Sequence, residues 1–391
     1  MLRVLKILTA GESHGQALLT IVEGMPSGLP ISAEEIGRHM TRRQQGYGRG
    51  RRQQIEQDAA QILSGVRHGK SIGSPIAMLV DNKDWDNWQE IMAVEPVATP
   101  VKKVTHLRPG HADLVGVFKY GFDDIRPILE RSSARETAAR LAASGVCRAL
   151  LSHFGTKIAS YVSVLGPIEI DAAYEVTQEP DSVDWDALEE DPLRCPDPEA
   201  SRQMVALIDE MKAAGDSLGG VYNVVAWGLP IGLGSHVFWD RRLDSRLAAA
   251  ILSINATKGV EFGPAFENAR KQGSQVQDQI RFEQGRGFSR LSNRAGGLEA
   301  GISNGEPVLV RGALKPISTI KSPLPSVDLA TLEPAQAHYE RADTTAVPAA
   351  GVIGEAMVAI ILADAFLEKF GGDSLAEIER NYHGYMEGLP K

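Results

Sequence analysis

The stretch 131-RSSARETAARLAASGVCRALLSHF-154 decides the architecture. From Ala134 to Phe154, residues Ala138, Ala139, Leu141, Ala142, Val146, Leu150 and Leu151 recur at helical spacings on several sides. That pattern predicts a helix covered by protein on more than one face. Its start is different in kind, because Arg131, Ser132, Ser133, Arg135 and Thr137 set two guanidiniums and three hydroxyls there. Unpaired backbone N–H groups and a partial positive charge at a helix N-terminus favour a phosphate or carboxylate. A plain serine cap with Glu136 in the first turn is the alternative reading of the same residues.

Working outward, Val347 to Phe370 reads as a second buried helix, stopped by Gly371-Gly372. Its most apolar part, Met357 to Ala363, lies between Glu355 and Asp364 and is too short for a membrane span, which needs ~20 apolar residues. Leu2 to Leu8 is broken by Arg3 and Lys6, so no signal peptide is expected there. Strand candidates Val221 to Trp227, Gln277 to Phe282 and Pro307 to Ala313 cluster between helices without βαβ alternation. The expected fold class is therefore α+β, in layers.

Composition fits a soluble cytoplasmic enzyme, with 43% hydrophobic and 23% charged residues. Two cysteines, Cys147 and Cys195, exclude a disulfide framework or a cysteine-based metal site, and no metal is expected. The net charge of −9 is local, since residues 168–200 hold twelve Asp or Glu and one Arg, a net of −11. This segment, with Trp185 in its middle, reads as an acidic surface insertion. Residues 38–52 show the opposite bias, with Arg38, Arg42, Arg43, Arg49, Arg51 and Arg52 and no acidic residue. Ser32 and Glu35 predict a capping box opening a helix there, which runs into the glycine-rich loop around Arg49. Nucleic acid is disfavoured as a partner by the acidic pI of about 5.6 and the lack of further basic runs.

Several motifs carry chemistry. GESHG at 11–15 and RPGHAD at 108–113 each set a histidine beside glycine, which lets backbone approach a ligand. With RSSARET at 131–137, NATKGVEFG at 255–263, SNGEP at 303–307, KPIST at 315–319 and R-x-D-x-x-A-V-P at 341–348, they resemble the chorismate synthase family in order and in spacing. The resemblance spans nearly the whole chain. It implies one domain over 1–391, folded as a β-α-β sandwich with a helical layer between antiparallel sheets and assembled as a homotetramer without a membrane partner.

The resemblance further implies a small-molecule substrate, 5-enolpyruvylshikimate 3-phosphate, and reduced FMN as cofactor. The reaction it implies is a 1,4-anti elimination of phosphate without net redox change. Two carboxylates and a phosphate need fixed cations, and arginine supplies a permanently charged planar donor. By motif position, Arg43, Arg49, Arg52, Arg108 and Arg135 surround substrate. Arg341 is expected to serve substrate and flavin alike. The catalytic set carried over is His14, His111, Ser13 and Asp343. His14 would hand a proton to departing phosphate, and His111 would sit at the flavin edge. Ser13 and Asp343 would form a proton relay. FMN contacts fall on Arg131, Ser132, Ser133, Ala134, Asn255, Ala256, Ala300, Lys315, Pro316, Ile317, Ser318, Thr319 and Arg341.

Three positions depart from the family pattern: Ala342, Thr344 and Ala300. A backbone contact from Ala300 requires a negative φ, since alanine avoids the left-handed region. Two rival functions stay open on the residues alone. One is a flavin reductase or other NAD(P)H-linked, FMN-dependent oxidoreductase, and the other a non-catalytic anion-binding module.

Overall fold

The computed structural model describes residues 2–50, 57–285, 287–340 and 342–391. Strands β1 (Lys6–Ala10), β2 (Ala17–Glu23), β3 (Gln61–Ile62) and β4 (Ile76–Asp81) form an antiparallel sheet in the order β1-β2-β4-β3. In β2, Leu18, Thr20 and Val22 are buried while Leu19 and Ile21 are exposed, the period-two pattern of a sheet covered on one face. A second antiparallel sheet holds β5 (Lys157–Leu165), β6 (Ile168–Glu169), β7 (Gly220–Trp227), β8 (Thr257–Phe262) and β9 (Val308–Leu314), in the order β8-β9-β7-β5-β6.

The helical layer lies between them. Helices α1 (Ala33–Gln44), α4 (Thr137–His153), α5 (Leu243–Leu252) and α6 (Val347–Phe370) compose it, while α2 (Asp113–Tyr120) and α3 (Arg126–Arg131) pack on each other around a separate small cluster of Leu107, Val117, Ile125 and Ile128. Helix α4 packs on β2 and β4, α6 packs on β5 and β7, and the two helices pack on each other. This is the α+β sandwich expected from the family motifs. It also explains why 134–154 is apolar on several sides. Helix α6 is long and apolar enough to cross a membrane, yet it is buried along its length inside the protein.

Close packing in this layer rests on glycine. A Cβ at Gly354 would stand 2.9 Å from both Tyr222 Cε2 and Val224 Cγ2 of β7, so any side chain would push α6 off the sheet. Charges inside the layer are paired. Glu355 accepts from Arg42 Nη1 at 2.8 Å, Arg148 Nη2 at 2.6 Å and Ser160 Oγ at 2.6 Å. Burial alone would raise this carboxyl, but the two guanidiniums hold it down to about 2. Asp364 accepts from the Arg246 guanidinium and from the Leu5 amide at 2.7 Å, which ties the N-terminal segment to α6.

Local differences have local causes. Ser32 caps α1 by accepting from Glu35 N at 3.2 Å, but the Glu35 carboxylate turns to Arg38 at 2.6 Å and does not close the box. The strand expected at Gln277 to Phe282 begins at Ile280 and pairs with Gly287–Arg290. A short helical turn, Gly273–Val276, occupies the preceding residues behind its own capping box. The acidic segment carries Trp185 stacked on Trp227, ring centroids 5.6 Å apart, and Glu189 bonded to both Arg42 and Arg194.

Candidate active site

Helix α4 is entered through a 3-10 turn, Ala134–Glu136, which Ser133 caps by accepting from Arg135 N at 3.3 Å. The serine cap and the anion site are therefore features of one corner, because this turn borders a cavity of about 620 Å³. Pockets of about 300–1,000 Å³ hold ligands of cofactor and drug size. Among the residues carried over from the family, Ser13, Arg43, Arg49, Arg108, His111, Ser132, Ser133, Ala134, Arg135, Asn255, Ala256, Lys315, Ile317, Ser318, Thr319 and Asp343 line it. Seven separate stretches of sequence thus meet on one wall.

Six lining side chains are basic and two are acidic among the described residues. Arg43 donates to Asp58 Oδ2 at 2.5 Å and Arg135 to Asp58 Oδ1, so one buried carboxylate holds two guanidiniums side by side. Burial works to raise Asp58, but the two arginines outweigh it and hold the carboxyl below its usual range. That trio keeps a net positive charge toward the cavity. Arg135 is further fixed by Asn82 Oδ1 at 2.8 Å and by the Asp81 carbonyl at 3.1 Å. Arg49 Nη1 meets Asp343 Oδ2 at 2.6 Å, and the Gly50 amide donates to Asp343 Oδ1 at 2.6 Å. Burial pulls the Arg49 guanidinium down, with Asp343 opposing. Lys315 donates to the Gly110 carbonyl at 2.9 Å, and burial with Lys258 nearby lowers its ammonium from the ordinary value.

Flavin-sized chemistry fits these donors. Asn255 Nδ2 donates to the Ser132 carbonyl at 2.8 Å, linking two of the motifs expected at the cofactor. Ala256 stands at φ 63, a left-handed angle unusual for alanine, and its carbonyl accepts from Lys315 N at 3.0 Å. Strain of this kind persists where the surroundings over-determine the backbone, commonly at ligand sites. Gly110, at φ 74, lets its backbone come so close to Lys315 that an added Cβ would sit 3.3 Å from Nζ.

The two motif histidines are held by similar means. His111 Nδ1 lies 2.5 Å from Asp113 Oδ1, and Arg108 donates to the same carboxylate through Nε at 2.8 Å and Nη2 at 2.9 Å. His14 Nδ1 lies 2.9 Å from Glu130 Oε1, which also accepts from Arg126 Nη1 at 3.2 Å. His14, however, is 8% exposed and stacks on Trp88 with ring centroids 3.8 Å apart, and it is not on the cavity wall. Ser13 Oγ donates to Ser133 Oγ at 3.0 Å from the wall itself.

Several expected residues stand elsewhere. Arg131 turns away to the Gly11 carbonyl at 3.0 Å and the Thr9 carbonyl at 3.1 Å. Pro316 shapes the Lys315–Thr319 run without lining the cavity. Ala300 adopts φ 50, a left-handed angle that alanine ordinarily avoids, in an exposed hairpin away from the wall. Arg52 and Arg341 lie outside the described residues. The sequence reading left Lys258 and Glu340 on the wall unassigned. Lys258 falls inside a quoted motif and was open to recognition, whereas Asp58 carried no local signal, because its partners lie 15 and 77 residues away.

A cavity walled by fixed cations, with a carboxylate-bound histidine among them, defines an enzyme site for a small polyanion. The chorismate synthase family profile matches residues 5–367. The chain is 54% identical over 391 residues to a chorismate synthase of Chlorobaculum tepidum, covering 99% of this chain and 98% of that one. With a chorismate synthase of Aquifex aeolicus it shares 53% identity over 390 residues, covering 98% of each. A crystal structure of chorismate synthase matches with a TM-score of 0.81 at 44% identity, over 99% of this chain and 98% of that chain. The chain belongs to the chorismate synthase family.

Proposed function

We propose that this chain is a chorismate synthase, which eliminates phosphate from 5-enolpyruvylshikimate 3-phosphate to give chorismate. The observation that carries the reading is the cavity wall, where Arg43, Arg49, Arg108, Arg135, Lys258 and Lys315 converge from distant stretches beside His111. Phosphate leaves C3 and a proton leaves C6, so charge grows on the departing group while the ring gains a double bond. Arg43 and Arg135, pre-paired on Asp58, present a fixed excess of positive charge to that anion without reorganising during the reaction. Arg108 is bound on three sides, by Asp113 and by Thr319 Oγ1 at 3.2 Å, and acts as a rigid cation in the wall.

Reduced FMN is the proposed cofactor, and when bound it lends electron density to C–O cleavage without net oxidation. Ser132, Ser133, Asn255, Ala256 and the Lys315–Thr319 run would hold it. His111 is proposed to take up and release a proton at Nε2, and Asp343 to accept one once Arg49 turns to a substrate anion. His14 is proposed to protonate departing phosphate after movement of Trp88. The protein is proposed to act as one domain and as a homotetramer, with 168–200 as an acidic insertion.

An anaerobic assay with dithionite-reduced FMN and the enolpyruvyl substrate tests the reading. Phosphate and chorismate should appear in equal amounts. Oxidation of a nicotinamide nucleotide with no phosphate release would point to a reductase instead.

A further inference from the structure

We infer that Asp113 is a positioning residue for the reaction, fixing which nitrogen of His111 carries a proton and holding Arg108 rigid in the same act. The inference rests on the reading of His111 as a residue of the site, and its first step is hydrogen-bond arithmetic. Asp113 begins α2 and is fully buried, and its carboxylate receives four N–H groups or their equivalents. Oδ2 accepts from the Arg108 amide at 3.0 Å and from Arg108 Nε at 2.8 Å. Oδ1 accepts from Arg108 Nη2 at 2.9 Å and faces His111 Nδ1 at 2.5 Å. Burial alone would raise this carboxyl, but the Arg108 and His111 hydrogen bonds hold it well below its usual range, so it is ionised and can only accept. Nδ1 of His111 must therefore be the N–H nitrogen. Nε2 is left as the nitrogen that can gain or release a proton.

A second histidine repeats the arrangement independently. His14 Nδ1 faces Glu130, whose oxygens also accept from Arg126 Nη1 and from the His14 amide at 2.8 Å. A buried carboxylate that fixes a histidine through Nδ1 while an arginine balances its charge thus occurs twice in one molecule. At His111 alone the ring also lines the cavity.

The geometry makes a sharp statement about Asp113→Asn. Two fixed donors, the Arg108 amide and Nε, point at the Oδ2 position and only one, Arg108 Nη2, at Oδ1, so the asparagine oxygen sits at Oδ2. Its NH2 group then takes the Oδ1 position, giving up the bond from Arg108 Nη2, and donates toward His111 Nδ1, which has to become an acceptor. The proton moves to Nε2, and the ring presents a donor where it had presented a lone pair.

Nitrogen NMR of the His111 ring in the full-length protein, recorded with the ring neutral, reads this directly. We expect Nδ1–H in the wild type and Nε2–H in Asp113→Asn, with kcat lowered roughly 10²-fold and KM changed much less. Persistence of Nδ1–H in the folded variant, or activity lost only in proportion to its unfolded fraction, would overturn the inference. Should Asp113→Asn not fold, Asp113→Glu replaces it. That variant keeps a carboxylate and should keep Nδ1–H, and finding Nε2–H in it would equally overturn the inference. Failure of the underlying reading looks different, because His111→Ala would then turn over normally while the tautomer result stood.

Discussion

His14 and His111 each give Nδ1 to a buried carboxylate that also holds an arginine, but only His111 reaches the cavity. His14 lies beneath Trp88, and the Arg126 guanidinium covers the indole at 5.2 Å from the ring. The difference separates two jobs that a motif alone runs together. The acid that orients His111 is two residues away, so RPGHAD brings its own support. Access to His14 is decided by Trp88, in a segment with no motif at all. Orientation is thus built locally, and exposure to the reaction is set by the tertiary fold.

Replacing His111 breaks the comparison most severely. His111→Ala should lower turnover by roughly 10²–10⁴-fold, the worth of a positioned acid or base, in an anaerobic assay of phosphate release. His14→Ala should lower turnover as well, because Trp88 has to move aside for His14 to reach departing phosphate. Equal losses in the two variants would mean that the indole opens in every cycle.

Glu355 is another buried carboxylate held by arginines and has no catalytic histidine, so it serves as the control. Glu355→Gln leaves Arg148 without its counter-charge and Arg42 with Glu189 alone, and should destabilise by about 3–5 kcal/mol in denaturant unfolding. The sign of its pH dependence follows from a folded value depressed from 4.5 to about 2. Its stabilisation is present above 4.5 and is lost as pH falls toward 2. The variant should therefore show a shallower loss of stability across that window, and an unchanged slope would remove Glu355 from the account.

Arg49→Ala should weaken substrate binding by about 1.5–3 kcal/mol, the range for a hydrogen bond to a charged group. Equilibrium titration checks it, and Arg49→Lys should recover little because the planar fork is lost. Trp88→Ala should have the smallest effect, about 0.5–1.5 kcal/mol of stability from the lost ring stacking, together with a rise in His14 exposure seen by chemical modification.

Much of this was legible in the sequence. Helical spacing located α4 and α6, because a helix buried on several sides must be apolar on several sides. The motifs located the wall from Ser132 to Thr319. What stayed hidden depends on distant pairing. Asp58 looks like any acidic residue until the fold brings Arg43 and Arg135 to it. Ala300 takes a left-handed angle that its residue type does not announce, and Arg131 gives its guanidinium to carbonyls of the first strand and the turn after it. Trp88 left no trace, since Trp85 and Trp88 stand in a polar stretch too short to show a periodicity.

The central claim is that cofactor and substrate share the one cavity walled by these cations. FMN affinity measured with and without the enolpyruvyl substrate tests it most directly, in the wild type and in Arg135→Ala. The account predicts that substrate tightens FMN in the wild type, that FMN tightens substrate by the same factor, as linkage requires, and that Arg135→Ala loses most of this coupling. Identical FMN affinity with and without substrate in the wild type would contradict it.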